Sequence, residues 1–174
     1  INNLANFTYI ININNTYIYL YIRLAPLPPA MREAAHYATF KRAADRMVAA
    51  PAAARVRKVA FESFARLGQD VNLLSKLADE TGIAGLRECF KSVSQMVALL
   101  TSNNIAAIAD EVDRFQRFGS VDLRLLKAVL DKYREPASGA LSLLGGLAGG
   151  SSAAAGRRKE VDAALRKLRE LVRE

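Results

Sequence analysis

Apolar residues recur every three or four positions from Met31 to the end of the chain, and that period belongs to the α-helix. Phe40, Ala43, Ala44 and Met47 fall on one face of a first helix, which Pro51 interrupts. A second helix is predicted over Val56, Val59, Ala60, Phe64 and Leu67, and after Gly68 the stripe continues through Val71, Leu74, Leu77 and Ala78. Gly68 is placed to bend that helix or end it. The clearest segment runs from Ile83 to Leu100, where Leu86, Phe90, Val93, Val97 and Leu100 line one stripe, with Thr81 as N-cap and Gly82 easing the turn. Ser102-Asn103-Asn104 reads as a turn before a short helix from Ile105 to Val112. A further helix passes from Val121 through Leu125, Val129 and Tyr133, capped by Ser120 and stopped by Pro136. The last helix sets Val161, Leu165, Leu168 and Leu171 on one face and Arg158, Lys159, Glu160, Arg166, Lys167, Arg169 and Glu170 on the other, solvated one. The fold class expected is all-α.

Two stretches depart from this pattern. Residues 1–30 form an extension rich in Asn, Ile and Tyr, whose β-branched and aromatic runs favour strand, closed by Pro26, Pro28 and Pro29. Its asparagines break the apolar run short of the roughly 20 residues that span a bilayer, so no membrane anchor is expected. Its composition suits a gene-model artefact, translated intron, as well as a native extension. Asn6-Phe7-Thr8 and Asn14-Asn15-Thr16 are read as chance matches to the glycosylation pattern. Residues 137–156 are Gly, Ala, Ser and Leu until the basic tail begins, and are read as a linker on which Leu141, Leu143 and Leu144 dock weakly. The chain is thus divided into 1–30, a helical bundle at 31–136, the linker at 137–156 and a basic amphipathic helix at 157–174.

Composition narrows the chemistry. Hydrophobic residues are 51% of the 174 and charged residues 24%, which suits a packed core rather than a disordered chain. One His and one Cys rule out a structural zinc site or disulfide framework within these residues and suit a reducing compartment. No secretory signal is visible, and a start at Ile1 without Met suggests a fragment. The net charge of +8 favours an acidic partner without choosing among nucleic acid, an anionic leaflet and an acidic protein.

His36, Ser63 and Asp45 do not read as a catalytic triad, because one His on an Ala-rich helix lacks both a nucleophile in reach and an orienting group. His36 is expected at the surface or its boundary. Cys89, beside Leu86 and Phe90, reads as a small core residue. Glu62, Asp70, Asp79 and Glu80 read as a solvated face. Gly145-Gly146-Leu147-Ala148-Gly149-Gly150 has the glycines of a phosphate loop without the Lys-Ser/Thr that should follow. No catalytic residue, cofactor or metal is expected. Phe115 and Phe118 differ from the other aromatics in falling within a connection. They are read as loop anchors first and as partner-binding candidates second.

Four ordered stretches carry a resemblance. Gln69-Asp70-Val71-Asn72-Leu73-Leu74 with Leu77-Ala78-Asp79 is followed by Gly85-Leu86-Arg87-Glu88-Cys89-Phe90 and Gln95-Met96-Val97-Ala98-Leu99-Leu100. Next come Val121-Asp122 with Leu130-Asp131-Lys132-Tyr133-Arg134-Glu135-Pro136, then Arg158-Lys159 with Leu165-Arg166-Lys167-Leu168-Arg169-Glu170-Leu171. In this order, over Met31 to Glu174, they resemble the C-terminal region of the exocyst subunit Sec-fifteen, with a plant-type ending. Ile1 to Pro29 is read as having no family counterpart, and the linker is more Gly/Ala-rich than is usual there.

The resemblance implies six or seven antiparallel helices stacked as the end of an elongated helical rod. It implies a subunit of the complex that tethers secretory vesicles to the plasma membrane, not an enzyme. The implied partners are other exocyst subunits and a Rab-type GTPase, with peripheral cytoplasmic attachment to vesicle and plasma membrane through those partners. The rival from charge alone is a basic nucleic-acid-binding module, suggested by Arg55, Arg57 and Lys58. Acids interspersed through every helix argue against it, and no nucleic acid is expected as partner.

Overall fold

The computed structural model describes residues 24–102, 104–133 and 150–172, the side chains of 61, 62, 150–155 and 157 excepted. The expectations for residues 1–23, for Pro136 and for Leu141, Leu143 and Leu144 lie outside them. The described residues form an all-α helical bundle of six α-helices: α1 Pro29–Ala49, α2 Phe61–Glu80, α3 Lys91–Thr101, α4 Glu111–Arg117, α5 Leu123–Leu130 and α6 Gly150–Leu171. Two 3-10 turns, Leu86–Phe90 and Ile105–Ala109, complete it. Among these residues the extended backbone pairing is confined to one isolated parallel bridge between Val59 and Tyr133.

Helix α1 begins at Pro29, two residues ahead of Met31, because a proline at the first helical position forfeits only an N–H that has no partner there. Its buried stripe is His36, Phe40, Ala44 and Val48, a strict spacing of four. Ala43 and Met47 lie at its edge. His36 is therefore a core residue, 7% exposed, not the surface or boundary residue expected. Its ring lies 6.4 Å from that of Phe40, which in turn meets Phe90 edge-on at 5.8 Å.

The segment around Val56 and Val59 is not helical, contrary to expectation. Residues 50–56 coil through successive turns, Ala52 N–H to Ala49 O, Ala53 N–H to Ala50 O and Val56 N–H to Ala53 O. Val59 N–H then donates to Lys132 O at 2.9 Å, and the Lys132 ammonium donates to the carbonyls of Ala52 and Ala53. Apolar spacing here served a long-range pairing that no local pattern displays.

Helix α2 runs unbroken through Gly68. A Cβ at Gly68 would sit 3.0 Å from Val97 Cγ1, so the missing side chain lets α2 and α3 approach closely. Thr81 ends α2 and does not cap the next helix: its hydroxyl donates to Ala78 O and accepts from Ile83 N–H. Gly82 and Gly85, at φ +69° and +75°, reverse the chain in the left-handed conformation that side chains resist. The predicted helix from Ile83 to Leu100 is consequently a turn, a 3-10 segment and α3. The stripe survives the change: Leu86, Phe90, Val93, Val97 and Leu100 are all buried.

The 3-10 turn Ile105–Ala109 stops at Asp110, short of Val112. Helix α5 takes Asp122 as its N-cap, whose carboxylate accepts from Arg124 N–H and Leu125 N–H, in place of Ser120. Helix α6 starts at Gly150, inside the stretch read as linker. It buries Val161, Ala164, Leu165 and Leu168 against α5 and the Ile105–Ala109 turn. All these residues belong to one continuous apolar cluster.

Candidate functional site

Among the described residues the two most exposed large apolar side chains, Val112 and Phe115, lie on α4, while Met31 and Tyr37 on α1 and Leu73 on α2 are exposed to a lesser degree. Asp110 accepts at 3.0 Å from Asp113 N–H and starts the helix, with Glu111 and Asp113 in its first turn. Arg114 and Arg117 follow in its last turn, so the charges oppose the helix dipole at both ends. Arg117 also reaches Asp113 at 3.5 Å. Such electrostatics let a seven-residue helix persist although it buries no residue of its own.

Val112 is 62% exposed and Phe115 84% exposed, three residues apart and so on one face. Phe118, the C-cap, turns inward and is 5% exposed, with the Arg117 guanidinium 5.3 Å from its ring centroid. Phe115 is thus on a helix and not in a connection, and the two phenylalanines have opposite environments: one is an anchor and one faces outward. Between them lies a shallow open depression of about 300 Å³ lined by Arg114, Phe115, Phe118, Gly119, Val121 and Leu123.

The floor of that depression is fixed by backbone. Val121 N–H donates to Phe118 O at 2.9 Å, and Ser120 N–H donates to the Gln95 side chain at 2.8 Å, which ties the turn to α3. A Cβ at Gly119 would meet Phe115 O at 2.9 Å, so the tight turn requires glycine. Val112 escaped notice in the sequence because the helix was ended there. The Asp110 cap, the acidic first turn and the two arginines were the available signal.

The groups that suggest chemistry are dispersed. Asp45 is exposed and paired with Lys41, away from the buried face that carries His36. Burial, and secondarily the Arg32 charge, lowers the His36 pKa. The Ser63 hydroxyl is buried without a hydrogen-bond partner among the described residues. Burial pushes the half-buried Cys89 thiol up, which opposes thiolate formation. Asp70 is likewise pushed up by burial, while Asp79 holds Arg87 at 3.1 Å. Among the described residues no three His, Cys, Asp or Glu side chains are grouped to hold a metal ion, and no helix is long and apolar enough to cross a membrane.

The model of the family described as exocyst complex subunit Sec15 C-terminal matches residues 13–132. The chain belongs to that family. The Sec-fifteen match takes in α1 to α5 and therefore the whole of the α4 surface. It also includes residues 13–29, part of the stretch read as having no family counterpart. It stops before α6, so the likeness of the terminal helix rests on its residues alone. No curated protein and no solved structure matches this chain.

Proposed function

We propose that this exocyst Sec-fifteen region is a receiving surface: it binds a Rab-type GTPase in its GTP-bound shape and docks to other exocyst subunits at the cytoplasmic face of secretory vesicles and the plasma membrane. It acts by binding and performs no catalysis. The observation that carries this reading is the α4 face, where Val112 and Phe115 project from a helix that buries nothing. Folding leaves most of a phenylalanine in water there, and covering it is worth about 1.5–3 kcal/mol to a partner. Aromatic anchors flanked by arginine are the residues that dominate binding surfaces, and Arg114 stands beside Phe115 in the depression.

GTP-dependence follows from the partner's chemistry, since switch segments are ordered only while the γ-phosphate holds them. Phe118 serves the surface indirectly, as a buried ring lining the same depression as Phe115. The test is capture of a panel of Rab proteins, loaded with GTP analogue or GDP, on the immobilised chain. Retention of at least one in the GTP form alone is expected. Equal retention of both forms, or of none, contradicts the proposal.

A further inference from the structure

The stretch from Lys41 to Lys58 holds six cations, Lys41, Arg42, Arg46, Arg55, Arg57 and Lys58, against the single acid Asp45. It thus carries +5 of the chain's +8 within 18 residues. Asp45 is already paired with Lys41. The other five are exposed, and none forms an ion pair with a described acid. Asp131, next to Lys132 where that residue meets this segment, is held by Lys127 at 2.8 Å.

These charges flank one elbow of the chain. Arg42 and Arg46 lie one turn apart near the end of α1, and Arg55, Arg57 and Lys58 follow on the turns and extended segment that leave it. The bridge from Val59 to Tyr133 and the Lys132 ammonium on the Ala52 and Ala53 carbonyls then pin the elbow to the end of α5. Like charges so held repel one another, a cost the fold bears without a described counter-ion.

We infer that this elbow contacts an anionic lipid leaflet directly, independently of the GTPase surface on α4. Five cations fall within the four to eight that mark polybasic lipid contacts. They are spread over an elbow rather than converging on a pocket, which suits a diffuse layer of headgroups better than one bound phosphate. A nucleic-acid reader is less well matched: residues 50–60, which carry three of the five cations, contain no aromatic to stack on a base and form no helix to enter a groove. Each cation near such a leaflet strengthens partition about fivefold, so the elbow gives weak contact that becomes effective when other attachments hold the chain nearby.

The test is sedimentation of the full chain with phosphatidylcholine vesicles, with and without 30% phosphatidylserine, at low and physiological salt. Binding is expected only with phosphatidylserine and should weaken as salt rises. Substituting Arg55→Gln, Arg57→Gln and Lys58→Gln together should reduce it roughly a hundredfold. The matched triple Arg166→Gln, Lys167→Gln and Arg169→Gln removes the same charge from α6 and should reduce it much less. Equal loss in the two triples would make the effect one of net charge and overturn the assignment. So would equal binding to neutral vesicles, or tight binding to duplex DNA with none to phosphatidylserine vesicles.

Discussion

Phe90 shows how much a single position carries. It is 1% exposed and meets Phe40 edge-on, so it joins α1 to the 3-10 turn that leads into α3. Phe90→Ala should cost about 3–5 kcal/mol in equilibrium denaturation, through lost burial and the cavity left behind. A change near zero would mean that this ring is not in the core. Its burial was legible in the sequence because Leu86, Phe90, Val93 and Val97 keep a helical period across two kinds of helix. His36 was not legible, since a lone histidine among alanines carries no mark of its own, and only the spacing of four to Phe40, Ala44 and Val48 reveals it. Because burial holds the His36 pKa below its ordinary 6.5, the unfolded chain takes up this proton first as pH falls. Stability should therefore decline as pH drops below about 6.5, before most carboxylates titrate. His36→Gln should flatten that part of a denaturation profile measured from pH 7.5 to 5.

At the scale of elements, Gly68 and α4 make opposite predictions. Gly68 admits the close approach of α2 and α3, so Gly68→Val drives two γ-carbons toward Val97 and should cost about 1–3 kcal/mol in thermal or chemical unfolding. Phe115→Ala should leave stability within about 0.5 kcal/mol, since the ring is 84% exposed. The sequence pattern placed nearly every helix but not its ends. A 3-10 turn and an α-helix share the three-residue apolar spacing, so the break at Lys91 left no trace in it. Thr81 could serve either the end of one helix or the start of the next, and the left-handed Gly82 and Gly85 decide for the former. The Val59 bridge to Tyr133 joins residues far apart in the chain, beyond the reach of any local period.

For the whole molecule, the core and the family were more legible than the surface. Ordered words such as Gly85-Leu86-Arg87-Glu88-Cys89-Phe90 carried the resemblance, and packing constrains such a word at its buried positions, here Leu86 and Phe90. Surface roles lack that constraint: Phe115 and Phe118 looked alike until the fold separated them, and Val112 gained meaning only as the neighbour of Phe115. The central claim is that the α4 face receives a GTP-loaded Rab-type GTPase. The most direct measurement is calorimetric titration of the chain and of its Phe115→Ala variant with a captured Rab protein in both nucleotide states. The account predicts binding to the GTP form that weakens at least tenfold in the variant, with an unchanged unfolding midpoint. Equal affinity for the GDP form, or binding indifferent to Phe115, would contradict it.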